Sequence, residues 1–230
     1  MTESSLPSQN DAAARVVAVA GATGLVGRAL LEGLLSDESV AAVHALGRRG
    51  PGVEHLKLTS HVVDFVALPP LPPLDEVYLA IGTTIKAAGS QAAFRAVDFD
   101  ANLSVARAAL AAGARRAGLV SAMGADAKSR VFYNRVKGET EEALTRLAFE
   151  GLVIARPSLL LGDREALGQP TRLGERVATV LSRFLGRLVP ANYRPVAAAD
   201  VARALLSRVP SARGRLVLLS DELQRAGART

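Results

Sequence analysis

The sequence predicts an α/β protein: a doubly wound parallel sheet of about seven strands, with a small helical lobe near the C-terminus. Three observations predict it. Short continuous apolar runs recur along the 230 residues, as strands buried on both faces require. Stretches with helical periodicity separate the runs, and that alternation builds parallel sheets with helices on both faces. A glycine-rich turn joins the first run to the first helix.

Val16-Val17-Ala18-Val19-Ala20, bounded by Arg15 and Gly21, is the first strand. Val26, Leu30, Leu31 and Leu34 then share one helical face. Residues 40–46 and 56–63 read as the second and third strands, 77–81 as the fourth, 117–120 as the fifth, 152–155 as the sixth and 216–219 as the last. An Ala-rich helix over 98–112 stops at Gly113, and a Glu- and Arg-rich helix covers 131–149. Pro69-Pro70-Leu71-Pro72-Pro73 cannot be helical. It reads as a stiff crossover in place of a helix, the other reading being a PxxP ligand for another protein. Residues 1–14 read as a flexible tail, 15–230 as a single domain, and 157–195 as a small lobe covering the substrate.

Composition excludes several classes. With no Cys there is no disulfide scaffold, thiolate metal site or Cys nucleophile. Three scattered His (His44, His55, His61) do not suit a metal centre, so none is expected. The formal charge of +6 comes almost wholly from Arg, without a basic run interleaved with aromatics, and no nucleic-acid partner is expected. The start carries one acid and no base, unlike a secretory signal, and no apolar run is long enough to span a membrane. These features predict a soluble, cytoplasmic protein.

In Gly21-Ala22-Thr23-Gly24-Leu25-Val26-Gly27, each glycine has a physical task in a strand-to-helix turn. Gly21 permits the turn, Gly24 lets a pyrophosphate approach the backbone, and Gly27 lets the helix pack against the strand. The helix then presents free N–H groups and its positive dipole end to phosphates. This is the dinucleotide-binding turn of a Rossmann-like sheet. An acid at the end of the second strand would hydrogen-bond the ribose 2′-hydroxyl of NAD; here Gly47-Arg48-Arg49-Gly50 stands instead. Arg48 and Arg49 match a 2′-phosphate in charge and geometry. NADP(H) is the expected coenzyme, with NAD(H) the alternative.

Tyr133 and Lys137, four residues apart, share one face of the helix after the fifth strand. Ser121 ends that strand, where open α/β sheets place their ligands. A free Tyr, with a pKa of about 10, is a poor base at neutral pH. A nearby ammonium and an oxidised nicotinamide ring both favour the phenolate. Tyr133 would then exchange a proton with a carbonyl or alcohol oxygen, with the Ser121 hydroxyl hydrogen-bonding that oxygen. Ser121, Tyr133 and Lys137 are the expected catalytic residues.

The glycine turn, Ser121-Ala122-Met123-Gly124 and Tyr133-Asn134-Arg135-Val136-Lys137-Gly138-Glu139 resemble the short-chain dehydrogenase/reductase superfamily. Gly82-Thr83-Thr84, Ala93-Phe94-Arg95-Ala96-Val97-Asp98 and Arg156-Pro157 resemble its atypical branch, which includes the HIV Tat-interacting oxidoreductase and bacterial NAD(P)H-binding or epimerase-like proteins. The resemblance covers roughly residues 15–225. It implies that Asp64 and Phe65 contact the adenine, that Gly82, Thr83 and Thr84 line the ribose side of the cofactor, and that Lys137 also holds the nicotinamide ribose. It marks Asp200-Val201-Ala202 as the start of a late structural helix. The glycine spacing is GxxGxxG rather than GxGxxG, and Asn102 has no secure match to the Asn that some members use in proton relay. The chain after residue 156 is short for enclosing a nucleotide sugar.

The function this predicts is an NADP-dependent oxidoreductase acting on a small carbonyl or alcohol. The alternative is an NADPH-binding regulator or sensor with little or no catalysis. Leu159, Leu185 and Tyr193 are candidates to line the substrate pocket, and a monomer or a homodimer is expected.

Overall fold

The structure is a computed structural model that describes residues 14–161 and 194–227. Strands β1 (Arg15–Ala20), β2 (Val40–Gly47), β3 (Leu58–Val62), β4 (Glu76–Leu79), β5 (Arg116–Val120), β6 (Gly151–Arg156) and β9 (Gly214–Leu219) form one seven-stranded sheet. Its order is β3-β2-β1-β4-β5-β6-β9, and every pair is parallel. A second, two-stranded parallel sheet, unexpected from the sequence, pairs β7 (Leu160–Leu161) with β8 (Val196–Ala197).

The unbroken apolar run of β1 follows from burial on both faces. Val17 and Val19 pack with Leu30 and Leu34 of helix α1 (Leu25–Ser36) and with Val201 and Leu205 of the helix Ala198–Arg208. Ala18 and Ala20 point the other way, into a core with Val105 and Ala109 of helix α4 (Asn102–Ala111) and Leu144 of helix α5 (Phe132–Thr145). The chain leaves β1 in one direction for β2 and β3, then returns to place β4 on the other side of β1. Loops at the carboxyl ends of β1 and β4 therefore diverge and open a crevice, which is where such sheets bind ligands.

Two crossovers lack a helix. The Pro-rich stretch before β4 holds no helix or strand, in line with its sequence. The β2–β3 connection also lacks a helix, against the expected alternation: Gly50, Pro51 and Gly52 fall within ten residues, and Gly52 has φ +74°.

The helix expected over 98–112 begins earlier. Helix α3 (Gln91–Arg95) starts at Ser90, whose Oγ caps the Ala93 amide at 3.0 Å, and continues through a π-helical turn, Ala96–Ala101, into α4. Helix α5 stops short of the expected 149, and the chain beyond it turns Leu147 and Phe149 onto the sheet core. The proposed tail lies outside the described residues except Ala14. Most of the 157–195 lobe, with Leu185 and Tyr193, also lies outside them.

Candidate functional site

A cleft of about 700 Å³ runs along the carboxyl ends of β2, β1, β4 and β5. At its centre is the turn after β1. Gly21 has φ +87°, and a Cβ there would lie 2.6 Å from the Ala80 carbonyl oxygen of the neighbouring strand end. A Cβ on Gly27 would lie 2.0 Å from the Gly21 carbonyl oxygen, so α1 starts only because that position is bare. Gly24 differs: a Cβ there meets only the Gly21 oxygen, at 3.5 Å, so the fold does not require glycine at this position. The amides of the first turn of α1 have no carbonyl ahead of them in the helix. Ala22 and Gly27 are buried behind the turn, while Gly21, Thr23, Gly24, Leu25 and Val26 line the cleft.

At one end Arg48 and Arg49 stand exposed after β2, opposite Asp64 and Phe65 after β3, and all four line the cleft. Asp64 Oδ1 accepts the Val66 amide at 3.0 Å, which holds that turn closed. Beside β4, Gly82 and Thr83 line the cleft, but Thr84 turns away and caps helix α2 (Ile85–Ala88), its Oγ1 accepting the Ala87 amide at 3.0 Å.

At the other end, Ser121, Tyr133 and Lys137 line the same cleft. Helix α5 reaches it because Gly138 lets the helix touch the loop after β5: a Cβ there would lie 2.1 Å from the Ala127 amide nitrogen. The Tyr133 ring packs on Phe94, with centroids 5.5 Å apart. Lys137 is buried, and its Nζ lies 2.7 Å from Asp98 Oδ1. Burial pushes the lysine pKa down, but the Asp98 carboxylate, with Tyr133 and Glu141 behind it, outweighs burial and leaves it raised above 10.5. The Ser121 hydroxyl donates to Glu141 Oε1 at 2.6 Å. Glu141 is itself buried and receives Arg156 Nη2 at 2.6 Å and Arg215 Nη2 at 3.2 Å.

Asp98 and Glu141 were missed as site residues. The signal for Glu141 is spacing: Tyr133, Lys137 and Glu141 recur every fourth residue along one face of α5. The signal for Asp98 is a pair of polar residues, Asp98 and Asn102, among the apolar positions of an Ala-rich helix, and both are buried. Asn102 Nδ2 donates to the Ile81 and Asp98 carbonyls at 3.1 and 3.0 Å, tying the helix to the end of β4. Leu160 of the small sheet also lines the cleft, while the helix expected to start at Asp200 begins two residues earlier, at Ala198, with Asp200 in its first turn. Among the described residues, no cluster of three metal-ligating side chains occurs, and no helix is long and apolar enough to cross a membrane.

The cleft suits a dinucleotide on its own geometry: a bare Gly24 beside free amides at the centre, guanidinium groups at one end, and an ammonium beside a phenol at the other. Solved structures share the fold. MoeE5 in complex with UDP-glucose and NAD matches with a TM-score of 0.67 at 18% identity, over 88% of this chain and 74% of that one. A short-chain dehydrogenase/reductase superfamily protein from Agrobacterium tumefaciens with bound NAD matches with a TM-score of 0.66 at 18% identity, over 93% and 81%. No family model matches the chain.

Protein fmp52, mitochondrial, of Emericella nidulans is 37% identical over 182 residues, 75% of this chain and 76% of that protein. Protein FMP52, mitochondrial, of Candida albicans is 32% identical over 202 residues, 82% and 85%. The mitochondrial naming of these relatives overturns the expectation of a cytoplasmic protein. That expectation rested on the lack of a secretory signal, which bears on export and not on organelle import. With this identity over more than two thirds of its relatives' length, the chain belongs to the Fmp52 protein family, built on the fold of the short-chain dehydrogenase/reductase superfamily.

Proposed function

We propose that this protein is an NADP-dependent oxidoreductase that moves hydride between nicotinamide and a small carbonyl or alcohol substrate. The observation that carries the reading is the meeting of the glycine turn, Arg48 and Arg49, and the Ser121, Tyr133 and Lys137 set along one cleft. Solved structures of this fold that hold NAD support a nicotinamide coenzyme, and the arginines in place of an acid after β2 favour its 2′-phosphorylated form.

In this reading the first-turn amides of α1 and the open side of Gly24 take the pyrophosphate. Arg48 and Arg49 take the 2′-phosphate, and Phe65 and Asp64 border the adenine. Lys137 holds the nicotinamide ribose. The bound coenzyme supplies or accepts the hydride. Tyr133 gives its Oη proton to the carbonyl oxygen on reduction and takes it back from the alcohol on oxidation, which contributes roughly 10²- to 10⁴-fold to the rate. Ser121, its own proton given to Glu141, accepts a hydrogen bond from the hydroxyl of the alcohol on the β5 side.

A panel of small aldehydes, ketones and alcohols, followed by NADPH absorbance, tests the reading. Turnover of at least one compound, lost in Tyr133→Phe, supports it. NADPH binding without turnover of any compound, combined with NADPH-dependent capture of another protein, would instead mark a sensor.

A further inference from the structure

Asp98 stands in the π-helical turn between α3 and α4, a helix irregularity that often accompanies function. Its carboxylate is buried, and both oxygens are used across elements. Oδ2 accepts the Thr83 amide at 2.9 Å, and Oδ1 meets Lys137 Nζ at 2.7 Å. The Asp98 carbonyl receives Asn102 Nδ2 at 3.0 Å and Thr140 Oγ1 at 3.3 Å, so the residue is pinned to α4 and α5 as well. Gly82 completes the cluster: a Cβ there would lie 3.5 Å from Asp98 Oδ1 and 3.9 Å from Lys137 Nζ. Packing alone does not call for this arrangement, because replacing a buried ion pair with apolar side chains is often neutral or stabilising.

We propose that Asp98 is a positioning residue of the cleft, which fixes the Lys137 ammonium beside β4 and keeps it charged where the coenzyme ribose is held. The ribose in that statement rests on the function proposed above; the hold of Asp98 on Lys137 does not. The titratable groups that face the ammonium are Asp98 from the π-turn and Tyr133 and Glu141 from its own helix. Gly82 and Thr83, after β4, and Asn102 of α4 bring no charge. Without Asp98, burial acts against only the weaker, like-signed support of Glu141 and the phenol, and the lysine sheds its proton at lower pH. An uncharged Lys137 is a poorer donor to ribose oxygens.

The test follows the side-chain nitrogens of ¹⁵N-lysine-labelled protein by NMR across pH. Lys137→Arg identifies the Lys137 signal, and exposed Lys86 and Lys128 serve as internal references. In the wild type Lys137 should keep its proton to higher pH than the references; in Asp98→Asn its titration should fall by about one pH unit or more. NADPH titrations on the same samples should show affinity declining with rising pH in Asp98→Asn but not in the wild type. A purely structural Asp98 would lower stability without moving the Lys137 titration, and that result overturns the proposal. Should Asp98→Asn fail to fold, the wild-type titration decides alone: Lys137 losing its proton with or before Lys86 and Lys128 also overturns it. If the wild type binds no NADPH, the functional reading fails while the NMR result still decides the Asp98–Lys137 link.

Discussion

The Ser121 hydroxyl donates to Glu141 Oε1 at 2.6 Å, which commits its only proton away from the cleft. Arg156 closes on the same carboxylate, with Nε at 2.9 Å and Nη2 at 2.6 Å, and its pKa is raised chiefly by that hydrogen bonding. Ser121 therefore presents lone pairs to a ligand. In this state it accepts a hydrogen bond from a hydroxyl and does not donate to a carbonyl oxygen.

Glu141→Gln removes the charge that Ser121, Arg156 and Arg215 share. Breaking a fully buried pair costs about 3–5 kcal/mol. Arg156 and Arg215 are partly exposed, so solvent screens the loss, and a decrease of about 2 kcal/mol in unfolding free energy is expected by urea denaturation. Stability within about 0.5 kcal/mol of the wild type would contradict the network's role.

Tyr133→Phe keeps the ring against Phe94 and removes only the hydroxyl. Turnover should fall by roughly 10²-fold or more. NADPH affinity and melting temperature should stay near the wild-type values. A matched loss of coenzyme affinity would show that the phenol acts in binding.

Arg48→Ala/Arg49→Ala removes two exposed guanidinium groups at the end of β2 without touching the core. Charge-assisted hydrogen bonds contribute about 1.5–3 kcal/mol, so NADPH affinity should drop roughly ten- to a hundredfold. NADH affinity should change little. Fluorescence titration with both coenzymes checks this, and an equal loss for both would assign the arginines a general electrostatic role.

His44 Nδ1 lies 3.0 Å from His61 Nε2 across β2 and β3, and burial, then the charge of His61, push the His44 pKa below 6.5. The folded state therefore favours the neutral ring, and the unfolded chain binds its proton first as pH falls. Stability from this pair is present above the ordinary histidine pKa and is lost as pH drops below it toward the depressed folded value. The melting temperature should fall between neutral and mildly acidic pH, and His44→Gln should flatten that fall. An unchanged pH dependence in His44→Gln would place its origin elsewhere.

The sheet was legible because parallel strands buried on both faces leave continuous apolar runs, as in β1 and β6. The turn at Gly21–Gly27 was legible because backbone approach requires glycine wherever it occurs. Helix limits were harder. Asp98 resembles a helix start in sequence, yet its carboxylate is taken by Thr83 and Lys137, and Ser90 caps the helix instead. The inward commitments of Ser121 and Lys137 were not legible. Glu141 lies twenty residues from Ser121, and Asp98 thirty-nine from Lys137, distances that only tertiary packing of α5 closes.

Coenzyme binding is tested most sharply at Gly24, where a Cβ would meet only the Gly21 carbonyl oxygen, at 3.5 Å, and so fits the fold. A calorimetric titration of NADPH into the wild type and Gly24→Ala, with melting temperatures recorded on both, isolates that point. The wild type should bind NADPH, Gly24→Ala should lose roughly tenfold or more in affinity, and the melting temperature should change little. Equal NADPH affinity in the two proteins, or none in the wild type, would contradict coenzyme binding at this turn.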